Sequence, residues 1–328
     1  MHNDLTIITT LVNSGTTKRK IQIERFIKYH LRFNCQIFII VPDDVNINIQ
    51  NINYKKITFI HCKSSLSGLE KIYLALKNVS TKFVAWIADD DFLGLDFAKK
   101  AINIMNQNDN IAACSGMIIF FEENTIKRAD ILYSYKSYKR QLNKPKDLYK
   151  NQNLKFHADN YHPGVVHAVV KTKALLNVFE FLNKFKMPVS FTDRTMVLII
   201  LMHEDIKYIK SLAGIRSFGT RITRHAPHLL NKVEIHPCEI VTYNNLIEKL
   251  MREYEKINGS IDFRIRSGII YFLTIASNCI APYKKNNFLE KINFLKAYLE
   301  PYKLSLFNKQ IKEDIILAKK LIKQYPLQ

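Results

Sequence analysis

The stretch FVAWIADDDFLGLDFAKKAINIMNQNDNIAACSGMIIFF, residues 83–121, decides the fold. Its beginning, up to Ala88, is an apolar run with the residues that buried strands favour, and it stops on Asp89, Asp90 and Asp91. Residues 94–108 then predict a helix, and residues 111–121 predict another strand. A strand, a helix and a second strand of these lengths are typical of a layered α/β sheet with mostly parallel strands.

The same alternation extends along the chain. Strands are predicted at residues 5–13, 35–44 and 56–62, and helices at residues 18–33 and 68–79. Residues 162–182 predict a turn, a strand and a helix, and residues 188–203 predict a helix capped by Thr192. We therefore expect a Rossmann-like α/β domain over residues 1–225 and a mainly helical C-terminal region over residues 226–328.

The three aspartates suggest chemistry because they end a buried strand. Ligands of such sheets bind outside the carboxyl ends of the strands. Mg²⁺ and Mn²⁺ prefer oxygen ligands, and one or two carboxylates often hold them while substrate phosphates complete the shell. Because extended residues alternate sides, Asp89 and Asp91 are expected to point one way and Asp90 the other. A solvated acidic turn is the alternative interpretation.

Composition narrows the class of protein. The chain has 328 residues and a formal net charge of +20, which favours anionic partners, although a lysine-rich composition alone gives the same charge. Five scattered cysteines without a C-x-x-C pair make a disulfide framework or a zinc site unlikely and favour a reducing cytoplasm. The N-terminus does not resemble a signal peptide, and no apolar run is long enough to predict a membrane span.

Residues 125–160 differ from the rest of the chain. Nine lysines or arginines lie between Lys127 and Lys155, among several tyrosines, and the hydrophobic pattern is weak. We expect a long surface excursion. Three interpretations stay open: an acceptor clamp that stacks and binds anions, a contact with an anionic membrane, or a loop without a role.

Five segments in order resemble the GT-A-type glycosyltransferases, in particular family 2-like bacterial enzymes. They are the first strand with its polar end, the aspartates of ADDDF, residues 162–175 (HPGVVHAVVKTKAL), FTDRTMVLIIL at residues 191–201, and TRITRHAP at residues 220–227. The resemblance covers roughly residues 5–225. It implies a nucleotide-sugar donor, a Mn²⁺ or Mg²⁺ cofactor, and a glycan or lipid-linked acceptor.

The resemblance also implies roles for single residues. In the donor site it places the following: Thr9, Asp43, Asp44, Lys63, Ser67, Gly68, Asp89 and Asp90. Asp91, with Asp89 and His225, would hold the metal. Asp193 would be the general base that deprotonates the acceptor hydroxyl, helped by Arg194. His162, Gly164 and Arg194 would lie on the acceptor side.

The predicted function is metal-dependent, inverting transfer of a sugar in the assembly of a bacterial surface polysaccharide, in the cytoplasm or at the inner face of its membrane. A sugar nucleotidylyltransferase is one alternative, but that class usually has a glycine-rich loop after the first strand, and TTLVNSGTTKRK has one glycine. A basic nucleic-acid-binding protein is the other, although no recognised module is present and the aspartates would repel phosphate without a metal.

Overall fold

The structure is a computed structural model. It describes residues 4–11, 16–45, 55–122, 132–134, 167–185, 189–218, 237–260 and 309–325. The following strands are present in these ranges: β1 (Leu5–Thr10), β2 (Gln36–Pro42), β3 (Ile57–Cys62), β4 (Phe83–Trp86), β5 (Phe92–Leu93), β6 (Ile111–Glu122), β7 (Leu132–Ser134), β8 (Val169–Lys171) and β9 (Asp205–Phe218).

The helices in the same ranges are the following: α1 (Thr16–His30), a short 3₁₀ helix (Leu31–Phe33), α2 (Gly68–Leu76), α3 (Leu95–Gln107), α4 (Thr172–Lys184), α5 (Val189–His203), α6 (Pro237–Asn258) and α7 (Lys309–Gln324). None of these described helices combines the length and the apolar character that crossing a membrane requires.

The strands form one mixed sheet in the order β3-β2-β1-β4-β8-β6-β9-β5, with β7 paired to β6. The first four are mutually parallel, and β6 and β9 are parallel to each other. By contrast, β8 runs antiparallel to both of its neighbours, β4 and β6. The predicted α/β class is confirmed, and the antiparallel β8 separates the parallel strands β3, β2, β1 and β4 from the parallel pair β6 and β9.

The core lies on both faces of the sheet, because alternate residues of its central strands point to opposite sides. Ile8 packs on one face with α2, α4 and α5, whereas Ile7 packs on the other with α1, α3 and α7. The C-terminal helix α7 therefore contributes to the same core as the N-terminal strands, through Ala318, Leu321 and Ile322.

The topology brings the ends of several strands to one edge of the sheet. The parallel strands β1, β2 and β4 end there, as do β6 and β9, while the antiparallel β8 begins there. The aspartates follow β4 directly, and β5 then pairs with β9 at the far end of the sheet order. The acidic segment thus lies at the edge where bound ligands are expected.

One local expectation is wrong. Helix α5 begins at Val189, so Thr192 lies within the helix and is not its N-cap. Asp193 is the fifth helical residue and belongs to the second turn, beyond the first turn where the helix dipole favours a carboxylate most. Val189, Ser190 and Phe191 precede Thr192 within the helix, so Thr192 does not mark its start.

Candidate functional site

The acidic segment is a tight, largely buried turn. The amide of Ile87 still donates to Ile8 of β1 at 3.0 Å, and the amide of Asp91 donates back to the carbonyl of Ala88 at 3.0 Å. The side chains of Asp89 and Asp91 are only 5% and 1% exposed, whereas Asp90 is half-buried. Asp89 and Asp91 are therefore the two buried carboxylates of the segment, which is a turn at Asp89 and Asp90 and not the extended strand assumed from the sequence.

Asp91 is held by one residue from the turn before β8 and one from β9. Its Oδ2 atom lies 2.7 Å from Nε2 of His167, whose side chain is also 1% exposed. The Nε atom of Arg216, on β9, lies 3.8 Å from the same oxygen and belongs to a side chain that is 46% exposed. Because Asp91 accepts from an imidazole and faces a guanidinium, the protein itself stabilises one of the three clustered carboxylates.

The backbone at His167 indicates that this contact is specifically maintained. His167 has a φ of 87°, an unusual and strained value for a residue with a side chain. Its ring lies against Gly214, where an added Cβ would approach Cδ2 of the ring to 3.0 Å. A strained backbone, a glycine beneath the ring and a buried hydrogen bond together fix the imidazole against Asp91.

The ends of β2 and β3 form a second part of the site. The Oδ1 atom of Asp43 accepts a hydrogen bond from the amide of Ser64 at 2.7 Å, and this bond lowers the pKa of the exposed Asp43 carboxyl. Lys71 donates to the carbonyl of Ser64 at 3.0 Å. The structure therefore joins Asp43 to the segment that contains Lys63, Ser67 and Gly68, whose donor-binding roles stay predictions.

Ser67 has a structural role at this edge. Its hydroxyl accepts from the amide of Glu70 at 3.2 Å, and the Glu70 carboxylate accepts from the amide of Ser67 at 2.7 Å. This reciprocal capping box starts α2. Asp44, Lys63 and Gly68 are exposed, and a Cβ at Gly68 would contact nothing within 4 Å.

Thr9 lies near the end of β1 and is fully buried. Among the described residues, its hydroxyl oxygen has no hydrogen-bond partner. A buried hydroxyl without a partner costs free energy. The hydroxyl of Thr10 is unpartnered among the described residues as well, so this feature does not single out Thr9, and its donor-side role stays a prediction.

The remaining predicted residues are described in part or not at all. Asp193 and Arg194 belong to helix α5, but the positions of their side chains lie outside the description. His162, Gly164 and His225 lie outside the described residues, as does the basic excursion apart from β7. The roles expected for these residues stay predictions.

A divalent cation fits the chemistry of the acidic turn. Within the described ranges, no group of three or more histidine, cysteine, aspartate and glutamate side chains is arranged to hold a metal. Mg²⁺, however, is usually held by one or two carboxylates and completes its shell with water and substrate phosphates. Asp89 and Asp91 supply such carboxylates, and the bond from His167 to Asp91 is the kind of outer contact that ligating carboxylates have.

The contact of His167 with Asp91 was not predicted from the sequence. His167 lies within the segment of residues 162–175, and nothing in its local spacing connects it to Asp91. The connection depends on the antiparallel pairing of β4 with β8, which brings the start of β8 to the end of β4. The contact of Arg216 with Asp91 was not predicted either, because Arg216 approaches the turn from the distant strand β9.

Comparison with known proteins gives a fold and no family. No family model and no curated protein matches the chain. Among solved structures, residues 1–349 of TarS from S. aureus are similar at a TM-score of 0.51 and 10% identity, over 98% of this chain and 90% of that one. A TarS structure in complex with UDP-GlcNAc matches at a TM-score of 0.44 and 12% identity, over 98% and 91% of the two chains.

A third solved structure belongs to another kind of protein. It is 4-diphosphocytidyl-2C-methyl-D-erythritol synthase from Anaerococcus prevotii, at a TM-score of 0.39 and 14% identity, over 63% of this chain and 88% of that one. A TM-score this low supports no argument about this chain. The first TarS structure does reach the level of a shared fold, and the fold of this chain is therefore GT-A-like.

Proposed function

We propose that the chain is a glycosyltransferase that moves a sugar from a nucleotide-diphosphate sugar to a hydroxyl of a glycan or lipid-linked acceptor. The observation that supports this most is the buried turn of Asp89 and Asp91, which His167 and Arg216 hold at the carboxyl edge of a GT-A-like sheet. TarS, which shares the fold, has been solved with UDP-GlcNAc, a nucleotide sugar.

The donor would bind along the edge formed by β1, β2, β3 and the acidic turn. Asp43 with the segment around Lys63 and Gly68 would contact the nucleotide, and Thr9 would offer its buried hydroxyl. Asp89 and Asp91 would hold Mn²⁺ or Mg²⁺, with His225 as a further proposed ligand. When bound, such an ion neutralises charge on the departing diphosphate.

The acceptor would be activated from helix α5. Asp193 would accept the proton of the acceptor hydroxyl as the oxygen attacks the anomeric carbon and the bond to the diphosphate breaks, which inverts that carbon. Arg194 would favour the ionised carboxylate through its positive charge. His162 and Gly164 would contact the acceptor. Surface polysaccharide assembly at the inner face of a cytoplasmic membrane is the setting that we propose for this reaction.

The donor part of the proposal is tested by a thermal-shift panel of UDP, GDP, CDP and ADP and their common sugars, with and without Mn²⁺. A ligand at one hundred times its dissociation constant stabilises the fold by about 2.7 kcal/mol, so a true donor gives a clear rise in Tm. Asp91→Asn keeps the size of the side chain but removes its charge, and we expect it to lose the Mn²⁺-dependent part of that rise.

Asp109→Asn is the matched control for Asp91→Asn, because Asp109 is exposed at the other end of α3. Equal Mn²⁺-dependent shifts in both variants would contradict the metal role of Asp91. If nucleotide sugars leave the Tm unchanged while a nucleoside triphosphate and a sugar phosphate yield pyrophosphate, the chain is a nucleotidylyltransferase and the proposal is wrong.

The acceptor part is tested by Asp193→Asn. Removing the general base is expected to reduce transfer by about 10²- to 10⁴-fold while the donor-induced rise in Tm persists. Transfer at the wild-type rate would exclude Asp193 as the base, whereas loss of both transfer and donor binding would indicate a structural role for this residue.

A further inference from the structure

The C-terminal helix α7 places one carboxylate inside the N-terminal part of the fold. Asp314 is fully buried, and its Oδ1 atom forms a salt bridge with Arg32, which follows α1 in the 3₁₀ helix. Its Oδ2 atom accepts a hydrogen bond from the amide of Leu95 at 3.1 Å. The two oxygens of Asp314 therefore connect α7 to the start of the chain and to helix α3.

Leu95 is the first residue of α3, so Asp314 acts as an N-cap supplied by another helix. The residue at the N-cap position, Gly94, has no side chain with which to cap. It is confined to glycine, because a Cβ there would lie 1.8 Å from the carbonyl oxygen of Leu212. A carboxylate at a helix N-terminus satisfies a free amide and interacts favourably with the helix dipole.

The neighbours of Asp314 hold the residues that precede Leu95. The guanidinium of Arg32 lies 4.1 Å above the ring centroid of Tyr29, and the Tyr29 ring lies 4.7 Å from that of Phe92. Nε2 of His30 accepts from the amide of Leu93 at 3.1 Å. Phe92 and Leu93 are thus held by residues of α1, and Leu95 is held by a residue of α7.

These contacts begin at the residue next to Asp91. His167 holds the Asp91 carboxylate from the strand side of the turn, whereas the Asp314 cluster, defined as Asp314, Arg32, Tyr29 and His30, holds the backbone that leaves it. A carboxylate keeps one orientation only if its backbone is also fixed, and small displacements of a binding group are costly.

We propose that Asp314 is a positioning residue for Asp91, through which the C-terminal helix α7 sets the metal affinity of the donor site. This inference rests on the proposed function. The ion pair of the buried Asp314 with the half-buried Arg32, together with the cap on Leu95, holds the segment 91–95, so that Asp91 meets the cation without reorganising.

The test uses the full-length chain, with the nucleoside diphosphate that stabilises it best among UDP, GDP, CDP and ADP as the probe. The measured quantity is the Mn²⁺ concentration that gives half of the nucleotide-dependent rise in Tm. Asp314→Asn is expected to raise this concentration about tenfold, the lower end of the effect of outer-shell partners. Glu313→Gln, an exposed change on the same helix, is expected to leave it unchanged.

A second control separates positioning from a general loss of stability. Leu182→Ala removes a fully buried side chain on the opposite face of the sheet, so it destabilises the fold without touching the Asp314 cluster. If Leu182→Ala raises the half-saturating Mn²⁺ concentration as much as Asp314→Asn does, the effect is global and the inference is overturned. An unchanged concentration in Asp314→Asn overturns it as well.

If Asp314→Asn is too unstable to assay, Arg32→Lys tests the same link from the other partner. Lysine keeps the charge but loses the planar guanidinium that stacks on Tyr29, so a smaller rise is expected and no rise is contrary to the inference. Failure of the proposed function has a different signature, because no nucleotide would then stabilise even the wild-type chain.

Discussion

Lowering the pH from 7 to 5 is expected to destabilise the fold through His30. This side chain is fully buried, with Nδ1 2.8 Å from the carbonyl oxygen of Phe26 and Nε2 3.1 Å from the amide of Leu93. Because a carbonyl only accepts, Nδ1 donates, and the bare Nε2 accepts from Leu93. A proton on Nε2 would face the amide hydrogen of Leu93 in a fully buried site.

Burial is the main reason that the pKa of His30 falls from 6.5 to about 3 in the folded chain. Between these two values the unfolded chain binds the proton and the folded chain does not, so stability is lost as the pH falls below 6.5. One pKa unit corresponds to about 1.4 kcal/mol, which gives a loss of about 2 kcal/mol between pH 7 and pH 5 and about 5 kcal/mol at the limit.

Urea unfolding at pH 7, 6 and 5, at constant ionic strength, measures this loss. His30→Gln is the reference, because glutamine offers a donor and an acceptor but does not titrate. The slope of the free energy of unfolding against pH is compared between this variant and the wild type, and the difference is the contribution of His30. His61→Gln, the same change at an exposed position of β3, is expected to keep the wild-type slope. Parallel curves for the wild type and His30→Gln would refute the argument.

Three further outcomes are expected. Gly94→Ala puts a methyl group 1.8 Å from a backbone oxygen and should cost more than about 3 kcal/mol in urea unfolding, while Gly68→Ala, in open space, should not; similar midpoints would contradict the close approach. His167→Ala removes the 2.7 Å bond to Asp91 and should weaken Mn²⁺-dependent nucleotide binding about 10- to 100-fold, unlike the exposed His203→Ala. Replacing the lysines from Lys136 to Lys150 by glutamine should reduce co-sedimentation with anionic vesicles or the affinity for acidic glycans, and the reduction should depend on salt concentration. No change in either measurement would indicate that the excursion is a loop without a role.

The fold was predictable because its signals are local. Runs such as residues 36–42 and the helical spacing of Phe97, Ala101 and Met105 identify their elements without tertiary information, and the structure has them in those places. The position of the aspartates after β4 follows from the same local pattern. The start of α5 was mistaken at Thr192, because helix boundaries depend on packing more than on the first capping residue.

The contacts that shape the site were not predictable, because they join distant parts of the chain. His167 and Asp91 are separated by 76 positions, and Asp314 and Leu95 by 219. Both contacts require the sheet order, in which β8 is inserted beside β4 and β5 pairs with β9, and the docking of α7 on the face that holds α1. A single sequence shows these residues only as an ordinary histidine and an ordinary aspartate.

The structure changes the electrostatic argument about the three aspartates. Neighbouring like charges repel one another, and the sequence alone suggests only a bound cation to offset the charge of the three aspartates. In the fold, the Asp91 carboxylate already accepts from His167 and lies near Arg216, and its position is held by a strained residue packed on Gly214. Strain of this kind is kept only where the surroundings over-determine it, and here it fixes the orientation of a carboxylate before any ligand arrives. A preorganised ligand has less conformational freedom to lose on binding. Loss of His167 should therefore appear mainly as weaker binding of the metal and nucleotide, and less as a slower transfer once both are bound.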